Sequence, residues 1–471
     1  MRADVSKSNE GNLQYKSQKD RCEMLNIGNF KTQTCNGIGR RSFLQMSGAI
    51  PLGLGLSNYG YADENTVSSL AARAKSVLFV FLWGAPSHLD TCDPKPNAPS
   101  EYRSPFGVIP TKTPGVHFTE LVPRLAQRSD KYTLVRSHHT SAPGHPDAGT
   151  VALSGFEENP KPVKPNFGSI IAKHRGFNGK LPPFFSIANG VVMDGGRKIE
   201  AYGGGQLGAV YDPFMVGCSE TGQTSLPALD LLDGINPLRI NDRFELMKQL
   251  DGVPRALDKL SFQDWNRTFQ QAYGLIADPR ARQAFNLMEE SEKTRANYGQ
   301  SVFGQSALLA RRLVEARVPY IQLNYSRHVE AISPGFEFGW DTHVYNFELL
   351  QDQHCPIFDR AFCALLDDLY DRGLMDETLL VCMGEFGRTP KINPRASRDH
   401  WPPCYFSIWA GAGLEPGRVI GESDKRGEHP ITRPFSPLMV GTTIAELAGV
   451  DSQARAEMRV LEGGEVIHEL L

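Results

Sequence analysis

Two stretches of this chain each carry an amphipathic helix straight into an apolar strand, and that pattern narrows the fold more than any other feature. In "SVFGQSALLARRLVEARVPYIQLNYS", Val302, Leu308, Leu309, Leu313 and Val314 share one helical face while Arg311, Arg312 and Glu315 lie elsewhere, and an apolar run begins at Val318. In "CPIFDRAFCALLDDLYDRGLMDETLLVCMGEFGRTP", Ile357, Phe358, Phe362, Leu365, Leu366 and Leu369 form the inward stripe, Gly373 stops the helix, and Thr378 to Met383 follow as a strand. Two further strand candidates are Val77 to Leu82 and the "YTLVRS" run. Helix alternating with strand predicts an α/β fold: a doubly wound, mostly parallel central sheet with helices on both faces. Such a sheet places its ligands outside the carboxyl ends of its strands.

Between about residues 176 and 252 the alternation gives way to glycine and proline punctuation, as in "AYGGGQLGAVYDPF", which reads as a long insertion or lid over the sheet. Residues 1–62 differ in kind. They hold eight Lys and Arg against four Asp and Glu, leaving 42 against 49 in the rest. Arg40-Arg41-Ser42-Phe43-Leu44 precedes a modest apolar core and small residues ending at Ala62. This order predicts a twin-arginine export signal, periplasmic or otherwise exported localisation, and residues 63–471 as the mature domain. The eleven residues Met46 to Leu56 are too few to span a bilayer, so no transmembrane segment is expected in the mature chain. The acidic balance after the leader argues against nucleic acid as a partner. The six cysteines beyond the leader show no C-x-x-C spacing, which speaks against a zinc knuckle and for buried apolar thiols.

Four clusters of chemistry-bearing residues fall where strands give way to loops. His88, Asp90 and Asp93 follow the first strand; His138, His139, His145 and Asp147 follow the second; Asp341 and His343 come after the third by a long loop; Glu385, with Asp399 and His400 of "RDHW", follows the fourth. Singly, each has an ordinary explanation as a helix cap, a turn residue or a hydrogen-bonded histidine. Together at one sheet edge, carboxylates and imidazoles suit a divalent metal ion: zinc, manganese or calcium. Glu385 ends its strand between two glycines, the placement expected of an acid facing a cation. Arg388 and Arg398 fit bidentate recognition of a phosphate or sulfate oxyanion, or equally structural pairs with Glu385 and Asp399.

The motifs "GQSALLARRLVEARVPYIQL", "GWDTHVYN", "DETLLVCMGEFGRTPKIN", "RDHWP" and "AGAGLEPGRVIGESDKRG" occur in order. On them the chain resembles the exported bacterial domain family of unknown function numbered 1501, grouped with the alkaline phosphatase and sulfatase superfamily. The resemblance implies an alkaline phosphatase-like fold around a metal site and hydrolysis of phosphate or sulfate esters, some of them on carbohydrates. It implies metal ligands among His88, Asp90, Asp341, His343, Glu385 and His400, with His145 as base or further ligand and Arg388 and Arg398 as catalytic arginines. The superfamily's first-strand acid is replaced by Trp83-Gly84, its Asp-His pair by Glu385-Phe386, and its nucleophilic Ser or Thr by the region of His145 and Pro146, with Ser141 and Thr150 only nearby. A metal-bound water is therefore expected as nucleophile, and an exported binding or assembly protein without chemistry is the alternative.

Overall fold

The computed structural model describes residues 73–156, 161–177, 181–226, 283–331 and 338–471, together with the backbone of a short hairpin, Leu25–Ile27 paired with Phe30–Thr32. Apart from that hairpin, the expected export signal lies outside the described residues, as do residues 227–252 of the expected insertion. The chain divides into two compact units, Met1–Glu64 and Asn65–Leu471, and the second holds the sheet and the candidate site. Among the described residues no helix is long and apolar enough to cross a membrane.

Among the described residues nine strands build one sheet: β1 (Ser76–Phe81), β2 (Thr133–His138), β3 (Phe184–Ile187), β4 (Phe214–Cys218), β5 (Thr224–Ser225), β6 (Tyr320–Asn324), β7 (Thr378–Met383), β8 (Tyr405–Gly411) and β9 (Val419–Ile420). Their spatial order is β5-β4-β3-β6-β1-β7-β8-β2-β9. Only β5 and β8 run against the rest. The central strands are buried along their whole length because both faces are covered, and the pleat sends alternate residues of β1 to opposite cores. Leu78 and Val80 join the core under α3 (Val302–Glu315) and α4 (Cys355–Asp371). Val77, Phe79 and Phe81 join the one under α1 (His145–Ser154), α2 (Phe167–Arg175) and α5 (Pro437–Leu447). Each such side chain contributes about 1.5–3 kcal/mol by leaving water. The expected doubly wound α/β class is therefore the observed one.

The insertion needs correction. Its described part contributes β3, β4 and β5 to the sheet, with β3 parallel to β6, so this stretch extends the sheet's edge instead of only covering it. Four- and five-residue strands between glycine turns leave too little periodicity to read. The antiparallel β8 is likewise not legible in the sequence. Its direction matters, because its first residue, Tyr405, stands at the edge where the parallel strands end and brings the preceding residues 399–401 there.

His138, the last residue of β2, is fully buried, with Nε2 2.6 Å from Ser407 Oγ and Nδ1 3.2 Å from the Phe435 carbonyl oxygen. Burial pushes its imidazole down to about 3. The unfolded chain takes up that proton as pH falls through about 6.5, whereas the folded chain does not, so this contribution to stability is complete above 6.5 and lost below it. At about pH 4.5 the loss should be roughly 2–3 kcal/mol. His138→Gln should show a correspondingly shallower decline between neutral and acid urea melts; an unchanged decline would exonerate His138.

Candidate functional site: a histidine-carboxylate cluster

The floor of the site is laid by the exits of β1 and β7. Gly84, just past β1, has φ +104°, and a Cβ there would stand 2.4 Å from the Trp340 nitrogen, so only glycine lets the Trp340-Asp341 backbone lie against this turn. Its N–H donates to Glu385 Oε1 at 3.0 Å. Arg388, fully buried, donates from Nε to the Ala85 carbonyl at 3.0 Å, and from Nη2 to the carbonyls of Gly84 and Trp340 and to Asp341 Oδ1 at 2.8 Å. Gly387 permits the matching approach from the other side: a Cβ there would meet the Cys404 carbonyl oxygen at 2.0 Å. Across this contact Gly387–Arg388 pairs with His400–Trp401 and brings His400 over the floor.

Three imidazoles are aimed by what their Nδ1 atoms meet. His145, the first residue of α1, has Nδ1 2.6 Å from Glu385 Oε1; His343 has Nδ1 2.7 Å from Asp399 Oδ1; His400 has Nδ1 2.7 Å from the Pro143 carbonyl oxygen. Carboxylates and carbonyls only accept, so each Nδ1 carries the proton, and each Nε2 is left either to donate to a carboxylate or, once its own proton is gone, to offer a lone pair to a cation. Those three Nε2 atoms lie 3.2, 3.1 and 3.2 Å from one oxygen, Asp341 Oδ1, and the His343 and His400 Nε2 atoms are 2.9 Å apart. Protons on Nε2 can hold this arrangement together, and a cation that displaces them would meet the same four atoms as ligands. Two ligand atoms each 2.0–2.1 Å from a zinc-like ion stand about 3.3 Å apart in a tetrahedron, so the spacing fits. The His145, Asp341 and His400 ligand atoms lie within 4.8 Å of one another, a compact group able to hold a metal ion. His343 adjoins it on the open side, about one-third exposed, whereas His145 is buried.

Electrostatics follow this arrangement. Burial pulls Asp341 upward, but the hydrogen bonds of His145, His343 and His400 and the charge of Arg388 hold its carboxyl well below the usual range. For His145, burial opposes charging, yet the Asp341 and Glu385 carboxylates win and raise it. His343 is raised chiefly by its bond to Asp341, with Asp399 adding and burial opposing. His400 is lowered, mainly by burial. Among the described residues Glu385 Oε2 and Arg388 Nη1 are buried without hydrogen-bond partners, as expected where a ligand is meant to complete the site.

Of the residues expected from the sequence, Asp341, His343, His400, His145 and Glu385 come together. Glu385 meets the Nδ1 side of His145, so it orients that ring and is not a direct ligand through Oε1. His88 and Asp90 do not join. Asp90 is fully buried in a two-pronged pair with Arg398, Oδ2 to Nε at 2.6 Å and Oδ1 to Nη2 at 3.0 Å. Burial resists ionisation there, but Arg398 outweighs it and keeps Asp90 below its ordinary range. Arg398 also donates to the carbonyls of Thr389, Pro390 and Tyr102, which commits a guanidinium expected at the substrate to the interior. His88 points Nε2 at the Gly427 carbonyl oxygen, 2.9 Å away. Thr150 is internal to α1, bonded to the Pro146 carbonyl at 2.9 Å. Asp399 belongs to the site through His343, although the sequence marks it only as a neighbour of His400; its signal is a second carboxylate beside a histidine.

The chain belongs to the family described as a protein of unknown function, DUF1501, whose profile matches residues 74–471. No curated protein matches it. Among solved structures it is similar to Ps i-CgsB, with 12% identity over 83% of this chain and 74% of that one and a TM-score of 0.39. It is also similar to the phosphonate monoester hydrolase SpPMH from Silicibacter pomeroyi, with 13% identity over 84% and 76% and a TM-score of 0.37. A third is the zinc complex of the C-terminal periplasmic domain of EcEptC from Escherichia coli, with 12% identity over 81% and 84% and a TM-score of 0.36. Overlap this partial carries no argument about activity.

Framework and cluster should separate cleanly under mutation. Asp90→Asn strands a buried guanidinium and should cost about 3–5 kcal/mol in denaturant melts of metal-free protein. His400→Ala, at the partly exposed rim, should cost under about 1 kcal/mol. Equal losses would mean that His400 belongs to the framework as much as Asp90 does.

Proposed function

We propose that His145, Asp341 and His400 hold one divalent cation and that the protein uses it to hydrolyse a phosphate or sulfate ester with water. The observation that carries this reading is the convergence of three Nε2 atoms on Asp341 Oδ1 while every Nδ1 is already committed. Three protein ligands with an open side is the pattern of catalytic zinc, and imidazole donors favour zinc or manganese over calcium. When bound, the cation would polarise the ester oxygen and lower the pKa of water. The protein's part is positional. Glu385 and Pro143 fix two ligand rings, Arg388 holds the carboxylate, and the backbone N–H groups at the start of α1 favour an anion beside His145. His343 stands on the open side with its Nδ1 tied to Asp399, so a proton on Nε2 can pass to the departing oxygen. The absence of a Ser or Thr hydroxyl at the first position of α1 fits water as nucleophile. That same absence favours a second reading, a metal-holding binding protein without turnover. Export by the twin-arginine route is part of the proposal and rests on Arg40 and Arg41; replacing both by Lys should leave precursor in the cytoplasm.

Metal analysis of purified protein should find about one zinc or manganese per chain, lost in His400→Ala. Activity on a panel of phosphate and sulfate esters should be bell-shaped in pH. The acid limb arises because the raised pKa of His145 keeps a proton on a ligand, and the alkaline limb because His343 gives up its proton. His343→Gln should flatten the alkaline limb and slow alkyl esters by roughly 10²–10⁴ while sparing nitrophenyl esters, whose leaving groups need no proton. Stoichiometric metal with no turnover would favour the metal-holding binding protein; no metal at all would remove the hydrolase and leave only a binding or assembly protein without chemistry.

A further inference from the structure

The segment directly after His343 is strained and exposed, and it takes no part in the chemistry proposed for the cluster. Val344 is 42% and Tyr345 61% exposed, and they are two of only five large hydrophobic residues so exposed among the described residues. They are adjacent in sequence and sit beside the open edge of the cluster. Tyr345 also has φ 56° and ψ 34°, the left-handed region that a bulky side chain adopts at a cost. Its carbonyl accepts from the Leu349 N–H at 2.9 Å and starts the short helix that follows, but among the described residues the tyrosine hydroxyl has no hydrogen bond, and the side chain is mostly exposed.

The conformation is nevertheless enforced from both sides. Before it, Asp341 N–H donates to the Val329 carbonyl at 3.1 Å. After it, a short helix, Asn346–Leu349, runs into a π turn, Leu350–His354, just ahead of Pro356, which has no N–H to offer the preceding turn. The π turn puts the buried His354 ring 2.6 Å, through Nε2, from the Gly339 carbonyl oxygen and 5.0 Å from the Trp340 ring. A clasp thus runs from Gly339 to His354, with Asp341 and His343 inside it and Val344-Tyr345 at its outer tip. Strain of this kind gathers at active sites and ligand clamps, and an exposed apolar pair directly after His343, with Tyr345 strained, fits a contact made outside the chain.

We infer that Val344 and Tyr345 form a specificity rim that packs against the organic part of the substrate and selects esters carrying a ring or another broad apolar face next to the phosphate or sulfate. This rests on the ester-hydrolase reading of the cluster. The contact is continuous with the site, since the rim begins one residue after His343.

The test uses zinc-loaded full-length protein with phenylphosphonate and methylphosphonate, two non-hydrolysable anions differing only in the organic group, measured by calorimetry. Phenylphosphonate should bind about tenfold tighter, and Tyr345→Asn should reduce the preference to about twofold or less. Asparagine tolerates the left-handed region, so the melting midpoint of that variant should be unchanged or up to about 2 °C higher, with zinc stoichiometry intact. Loss of selectivity without loss of stability is the signature that a purely structural tyrosine would not give. Equal binding of the two phosphonates by the unaltered protein, or a preference retained in both Tyr345→Asn and Val344→Ser, would overturn the rim while leaving the metal site in place. Zinc bound with neither phosphonate recognised would overturn the ester reading and the rim with it.

Discussion

The buried guanidinium of Arg388 is the contact on which the rest of the site depends. It reaches the carbonyls of Gly84, Ala85 and Trp340 and the carboxylate of Asp341, so one planar group ties the exits of β1 and β7 to the loop that follows β6. A charge with no exposure is tolerable only when it is paired, and the Asp341 carboxylate supplies the opposite sign at 2.8 Å, although Nη1 is left without a hydrogen-bond partner among the described residues. Because the same Oδ1 is approached by three imidazoles, the arginine also sets where they converge. Just past β1 stands Gly84, whose lack of a side chain lets this packing happen.

Around that anchor the cluster is graded from inside to outside. His145 is held by a fully buried carboxylate and touches the Trp83 and Phe386 rings, at centroid distances of 5.5 and 4.9 Å. His400 packs on Phe386 at 4.6 Å but is partly open, and His343 leans on a half-exposed Asp399. A buried ring with a fixed tautomer suits a ligand, while a ring at the rim with a carboxylate behind it suits proton transfer. Backbone strain lies at both borders of this gradient, at Ala85 with φ 64° below and Tyr345 with φ 56° above.

Much of the cluster is legible in the sequence, for a specific reason. Glu385 directly follows an apolar run that reads as a buried strand, and Asp341, His343 and His400 lie in the loops beyond two such runs, and a parallel sheet collects strand exits on one edge. The same reasoning overreaches at His88 and Asp90. They too follow a strand, but the chain turns through Gly84 and Ala85 and carries Asp90 inward to Arg398, whose guanidinium also takes the carbonyl of Pro390. Charge type and loop position cannot distinguish a carboxylate that faces a ligand from one that faces an arginine. That distinction depends on which partner lies within 3 Å, and Arg398 is hundreds of residues away in sequence.

By itself the sequence determined the α/β class, the two helix-strand units around α3 and α4, and the presence of an acid-histidine set at one sheet edge, because periodicity and strand burial are local properties written residue by residue. Only the tertiary structure decided that residues 184–225 extend the sheet, that β8 runs backward and delivers His400, that Glu385 orients a ring, and which of Arg388 and Arg398 serves the site. These outcomes rest on pairings between segments far apart in the chain, where strand direction and close backbone approaches that only Gly84 and Gly387 permit select one partner over another of the same chemical type.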